Sequence, residues 1–263
     1  MKGTLKKIIA AALTFSVLTL SASGVYAQSA DSENLVDTFS YEREIHDENN
    51  NVIGVITTEV SREIKTEEDG TKVITLEKDI VEEHNDGEEE RYNKTHEIKI
   101  TPSGEYYLNG EKLDEDFLNQ SVNVGEKNKY AFKGESGGYL ATYEEISPNF
   151  FKLASYKEAN FFLDYSSRKT FTSTYVGEDN HARDINRFMT KADGVEDARD
   201  DISALTAALS AELGIAVITA GTVLGAIASG TAAAITASEL LDASEEGHED
   251  LEDAYYLIKN MGS

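Results

Sequence analysis

Gly134-Glu135-Ser136-Gly137-Gly138 is the stretch of this chain that comes nearest to a catalytic motif. The five residues satisfy G-x-S-x-G, and they look like the serine-protease GDSGG with Glu in place of Asp. A nucleophile elbow needs a buried strand before the serine and a helix after it, so that a sharp turn lifts the hydroxyl into the open. Here the preceding stretch, Lys129 to Lys133, is short and charged at both ends, and Tyr139 onward reads as strand or loop. Ser136 is therefore read as a serine in a glycine-rich turn, and no catalytic residue is expected.

The five histidines, His46, His84, His96, His181 and His248, give no H-E-x-x-H helix. Most stand beside acids and read as solvated surface, while His96 falls on an apolar strand face. Acid-rich turns such as Glu67-Glu68-Asp69-Gly70 offer oxygens to a calcium ion but lack the ligand spacing of an EF-hand loop. No P-loop or dinucleotide fingerprint is present. The expectation is thus no cofactor and no dedicated metal site. Cysteine is absent, which removes disulfides, thiolate nucleophiles and Cys-based zinc sites.

Charge narrows the partners. The 263 residues carry 24 Lys and Arg against 49 Asp and Glu, a formal net charge of −25. Nucleic-acid backbones are bound by cations that displace counterions, so such a partner is not expected. An apolar share of 40% still allows one or two packed cores.

Residues 1–27 have the parts of a secretory signal. Lys2, Lys6 and Lys7 precede an apolar run from Ile8 to Leu20, and Val25-Tyr26-Ala27 presents small residues where a signal peptidase reads. The run is about 13 residues, short of the ~20 a spanning helix needs. Cleavage between Ala27 and Gln28, and a secreted product, are the expectation.

The elements follow from hydrophobic period. Through residues 28–147, Phe39, Tyr41 and Ile45 alternate with Ser40, Glu42 and Glu44, and the same period of two returns around Val60, Leu76 and Ile98. Asp69-Gly70, Asp86-Gly87, Ser103-Gly104 and Asn109-Gly110 supply turns, because Gly and Asn tolerate positive φ. Asn49-Asn50-Asn51 is a further turn candidate. This predicts an antiparallel meander with one apolar and one acidic face. Residues 130–175 hold 12 Phe and Tyr side chains and read as a core joining the two halves. Residues 148–263, set off at Pro148, read as a helical region. Ile185, Phe188, Met189 and Ala192, then Ile202, Leu205 and Leu209, lie three and four apart, and Leu251 to Met261 reads as a short amphipathic helix. The fold class is therefore α+β, strands first and helices second.

The most unusual segment is Leu213 to Ser238, 26 residues without a charge. Gly221, Gly225, Ser229, Ala233 and Ala237 recur every fourth residue, which on a helix aligns small side chains in a stripe that admits a close neighbour. Two readings compete. The segment is a buried helix or a helical hairpin broken near Ser229-Gly230-Thr231, or it enters a bilayer, where a single helix of that length would span about 39 Å.

A signal peptide, an acidic strand-rich first half and a cysteine-free Ala/Gly segment near the C-terminus together resemble the large, unmodified geobacillin-type bacteriocins of Gram-positive bacilli. The resemblance lies in the layout of the chain, most clearly over about residues 185–260. It implies secretion and antibacterial action at a target-cell envelope, and it transfers no catalytic residue. The leading expectation is a secreted antibacterial protein that perturbs membranes through residues 213–238. Its partners would be the target membrane or an envelope receptor, with self-association along the glycine stripe. The alternative is a secreted or surface-associated, non-catalytic binding protein in which that segment is only core.

Overall fold

Four long strands open the fold because apolar and polar residues alternate along most of their length. The computed structural model describes residues 34–46, 52–124, 139–164, 167–229 and 231–262. The proposed signal with its Ala27/Gln28 junction, the Asn49-Asn50-Asn51 turn, Ser136 with its glycine motif, and Gly230 lie outside the described residues. The chain divides into two compact units, Met1–Lys112 and Leu113–Ser263.

The first unit is a six-stranded antiparallel meander in sequence order. It runs β1 (Asn34–His46), β2 (Val52–Thr66), β3 (Lys72–His84), β4 (Glu89–Ile100), β5 (Tyr106–Leu108) and β6 (Glu111–Lys112). Its turns use the left-handed region as the sequence requires. Gly70, Gly87 and Gly104 have φ of 86°, 92° and 82°, and the two-residue Asn109-Gly110 loop has φ of 51° and 83°. One face carries Val60, Ile74, Leu76, Ile80 and Ile98, all buried. The expectation of a purely apolar face needs correction, since Arg62 and Lys78 share its parity and are 2% and 1% exposed. Within the unit, the Arg62 guanidinium holds Asp37 in a two-pronged ion pair (Nε to Oδ1, 2.8 Å) and lies 5.7 Å from the Phe39 ring centre. That pairing supplies the partner a buried cation needs.

The second unit begins with α1 (Glu115–Leu118) and β7 (Ser121–Asn123). A three-stranded antiparallel sheet follows, ordered β10-β9-β8, from β8 (Ala141–Ser147), β9 (Phe150–Glu158) and β10 (Lys169–Gly177). Then come α2 (Glu178–Leu213), β11 (Val217–Thr219), α3 (Ala220–Ile227) and α4 (Ala233–Met261). Pro148 therefore sits in the β8–β9 turn, with Asn149 at φ 62°, rather than at a division between compact units. The Phe and Tyr of residues 141–177 had masked the strand alternation, because both faces of this sheet carry rings.

Helix boundaries also differ from the expectation. α2 starts at Glu178, where Glu178 and Asp179 sit favourably in its first turn, and runs 36 residues, about 54 Å. The expected short helix at Leu251 is only the last third of the 29-residue α4. Gly247 does not stop that helix. It is buried, and a Cβ there would fall 2.7 Å from the Ala198 Cβ and overlap Leu163 Cδ1. The glycine thus lets α4 pass close against α2. Gly194 does the same on α2, where a Cβ would overlap the Asp250 carboxylate. Lys191 fixes the pair from the rim, donating to Asp250 at 2.7 Å and lying 3.1 Å from Asp253.

Candidate functional site

The uncharged segment is cut into pieces by its own polar residues. Thr219 Oγ1 accepts from the Thr222 N–H at 2.9 Å and so starts α3 as an N-cap. Just before it, Val217–Thr219 pair with Ser121–Asn123 as a two-stranded sheet, and the Ala220 N–H donates to the Gln120 carbonyl. At the other end, the Ser229 hydroxyl donates to the Ala226 carbonyl at 2.7 Å and meets Thr231 Oγ1 at 2.8 Å, closing the turn into α4. The hairpin break expected near Ser229 to Thr231 is therefore where the chain turns. The single 26-residue helix is not formed. α3 has 8 residues, about 12 Å of rise, against ~30 Å of hydrocarbon. Among the described residues no helix is long and apolar enough to cross a membrane.

The five small residues are consequently not one stripe. Gly221 and Gly225 lie on α3, Ser229 in the turn, and Ala233 and Ala237 in the first turns of α4. Ala233 and Ala237 are buried, and a Cβ on Gly221 would stand 3.3 Å from the Leu118 carbonyl oxygen. The close approach is thus made inside the unit, to the end of α1. Around it Val223, Leu224, Ile227 and Leu240 are fully buried. The exposed large apolar side chains of the segment lie at its front. Leu213, Ile215 and Val217 are 36%, 39% and 44% exposed, where Gly214 at φ 68° ends α2.

No family model, curated protein or solved structure matches the chain.

The aromatic block divides in two. Phe161 and Phe162 are buried, edge-to-face at 5.1 Å, with Phe117 packed edge-on to Phe161 at 5.7 Å. Phe150, Phe171 and Tyr175 are exposed on the β8–β10 sheet. The expectation of a single aromatic core holds for the first group and fails for the second. Strand parity sends alternate rings to opposite faces.

His84, His96, His181 and His248 have different surroundings. His84 Nε2 lies 2.7 Å from Glu82 Oε1 on β3, two residues away on the same face. His248 Nδ1 is 2.6 Å from the Ser244 carbonyl, and since a carbonyl only accepts, that nitrogen donates. His96 is buried opposite Leu76 in the register of β3 and β4. His181 is half-buried in the first turn of α2.

Carboxylates, by contrast, gather on one helix. Asp193, Glu196, Asp197, Asp200 and Asp201 recur at helical spacing along α2. Partial desolvation and then the repulsion of Asp201, Asp193, Asp200 and Glu196 push Asp197 up to about 6, although the residue as a whole keeps solvent access. Asp200 is raised by desolvation and by Glu196, against the pull of Arg199. Tyr143 donates to Asp193 at 3.0 Å, and the Arg199 guanidinium lies 3.8 Å over the Tyr139 ring while Nε donates to the Leu163 carbonyl. These contacts tie the acidic helix to the sheet and to the loop at Leu163. Sequence reasoning had not singled them out, although the run D-x-x-E-D-x-x-D-D was legible.

Proposed function

We propose that this chain is an extracellular, non-catalytic protein that acts by binding at the envelope of other bacteria, with its uncharged segment serving as folded core. The observation that carries the reading is the burial of Ile218, Ala220, Val223, Leu224, Ile227 and Ala237 in the second unit. A segment designed as a ready membrane anchor would present those side chains outward. The plan of the chain, with its N-terminal signal pattern and its resemblance to geobacillin-type bacteriocins, supports an antibacterial role at that envelope. The acidity of the chain opposes nucleic-acid partners.

A second reading has one observation in its favour. The exposed Leu213, Ile215 and Val217 form an apolar tip at the start of the segment. In that reading the tip touches a bilayer first and α3 then leaves the core to perturb the membrane.

A covalent lock separates the two. A Cβ on Gly221 would stand 3.7 Å from the Leu118 Cβ, within the ~3.5–4.5 Å a disulfide spans. The native chain has no other cysteine to compete. We expect the oxidised Leu118→Cys/Gly221→Cys protein to bind and inhibit Gram-positive cells as the native protein does. Inhibition and liposome leakage that return only on reduction would establish the second reading. Failure of the native protein to associate with cells at all would reject both.

A further inference from the structure

The outer face of the β8–β10 sheet has a composition unlike the rest of the molecule. Tyr143 reaches Asp193 of α2 and its register partner Leu153 is fully buried, so that parity faces the helices. The opposite parity carries Thr142, Ala154 and Ser173, which stand side by side across the three strands. These small residues make a low floor. Ala154 is 8% exposed although it sits on the outer side.

Rings border the floor at both ends. On one side Tyr156 and Phe171 are register partners with ring centres 5.0 Å apart, and Arg168 covers Tyr156 at 5.1 Å. On the other, Phe150 and Tyr175 lie nearly parallel, 18° apart, with centres at 6.4 Å. Phe171 and Tyr175 are 57% and 59% exposed. Tyr156 and Lys152, which mark the two ends on β9, are four residues apart, about 13 Å along the strand. Thr170, a β-branched residue, takes φ 57° immediately before Phe171. Backbone of that kind is costly for such a residue and concentrates where a side chain must be aimed.

The charges cancel. Glu144 stands opposite Lys152, and Glu158 opposite Lys169. Residues 141–177 carry four acids and four bases, in a chain of net charge −25. An anionic polymer or anionic lipid would meet no excess of cations here and would be repelled by the remainder. A bilayer would be met by apolar side chains that project furthest, whereas here the middle of the face is recessed and hydroxyl-bearing.

The geometry points to this face as a binding site for an uncharged glycan chain, its sugar rings stacked on Phe171 and Tyr175 and its hydroxyls on Thr142 and Ser173. A pyranose ring has an apolar C–H face and a hydroxyl rim, which matches exposed rings bordering a hydroxyl floor. The assignment rests on the envelope-binding reading for its setting and names the ligand class of that binding.

The test is co-sedimentation of the full-length protein with two insoluble probes, chitin and peptidoglycan stripped of anionic polymers. Vesicles of phosphatidylcholine and whole Gram-positive cells run alongside. Binding to at least one glycan is expected. Phe171→Ala and Tyr175→Ala should each weaken it about three- to tenfold, in line with what one aromatic contact contributes. Tyr256→Ala, an exposed ring on α4, should leave it unchanged, and thermal unfolding of all three should match the native protein. Binding to vesicles but to neither glycan overturns the assignment, as does glycan binding indifferent to both ring removals. Whole cells still bound by a protein carrying both Phe171→Ala and Tyr175→Ala would overturn this face while leaving envelope binding standing. Ring-dependent glycan binding without any binding to cells would do the reverse.

Discussion

Gly247→Ala inverts the usual expectation for a glycine inside a helix. On an open helix face the change stabilises by about 1 kcal/mol, because alanine loses less backbone entropy. Here the added methyl would lie 2.7 Å from the Ala198 Cβ and overlap Leu163 Cδ1. Carbon atoms rest at about 3.5–4.0 Å, so roughly 1 Å of overlap with Ala198 must be relieved. Leu163 is fully buried, its own backbone is at φ 49°, and its carbonyl is held by Arg199. It has little room to move, and the Ala198 Cβ is fixed to the α2 backbone. Overpacking of this kind costs about 1–3 kcal/mol. The net expectation is a loss of up to about 2 kcal/mol, or a fall in Tm of up to about 8 °C for a unit of this size. Ala198→Gly should relieve the contact with α2. A double-mutant cycle followed by thermal unfolding should therefore show favourable coupling of about 1 kcal/mol or more. A rise in Tm for Gly247→Ala, or strict additivity with Ala198→Gly, would refute the close passage of α2 and α4.

Two further outcomes are expected. Asp197, Asp200 and Asp250 all have folded pKa values raised above the ordinary carboxylate, Asp197 to about 6. Between pH ~4 and ~6 the folded state therefore binds protons more tightly than the unfolded one. Stability should rise as pH is lowered from 7 towards 5, and Asp197→Asn should flatten that rise; a native profile that falls over this range would contradict the crowding on α2. Separately, intact mass of the secreted protein should correspond to a chain starting at or near Gln28, and retention of Lys2, Lys6 and Lys7 would contradict the cleavage argument.

The strands of the first unit were legible because apolar and polar residues alternate along most of each strand and its glycine turns name themselves. Asn109-Gly110 adopts the two positive φ values that its residue types invite. Arg62 and Lys78 were equally readable by parity, standing among Val60, Leu76 and Ile80. Charge at such a position ordinarily marks solvent, and only a folded partner such as Asp37 for Arg62 reveals its burial. The β8–β10 sheet was hidden for the opposite reason. With rings on both faces, alternation between apolar and polar residues fades, and strand period cannot be seen without knowing which rings are exposed. The glycine stripe misled through its spacing. An i, i+4 recurrence of small residues aligns them only if one helix runs throughout, and the hydroxyls of Thr219 and Ser229 end helices instead. The glycines that do admit a close helix, Gly194 and Gly247, stand alone in charged surroundings with no repeat to announce them.

The energetics of the uncharged segment bear directly on the two readings of function. Val223, Leu224 and Ile227 are already buried, so moving them into lipid exchanges one apolar surrounding for another and yields little hydrophobic gain. What the move would break is polar. The β7–β11 ladder, the Thr219 cap and the Ser229 turn satisfy backbone groups that a bilayer leaves without partners. Rebuilding residues 213–238 as one helix would restore most of those hydrogen bonds, but only after α3 had separated from Leu118. The move thus meets a barrier in the unpacking and gains little once it is complete. Binding through an already exposed sheet face meets no such barrier. On the proposed reading, first contact with an envelope would fall to the β8–β10 face, and any membrane step would have to follow it.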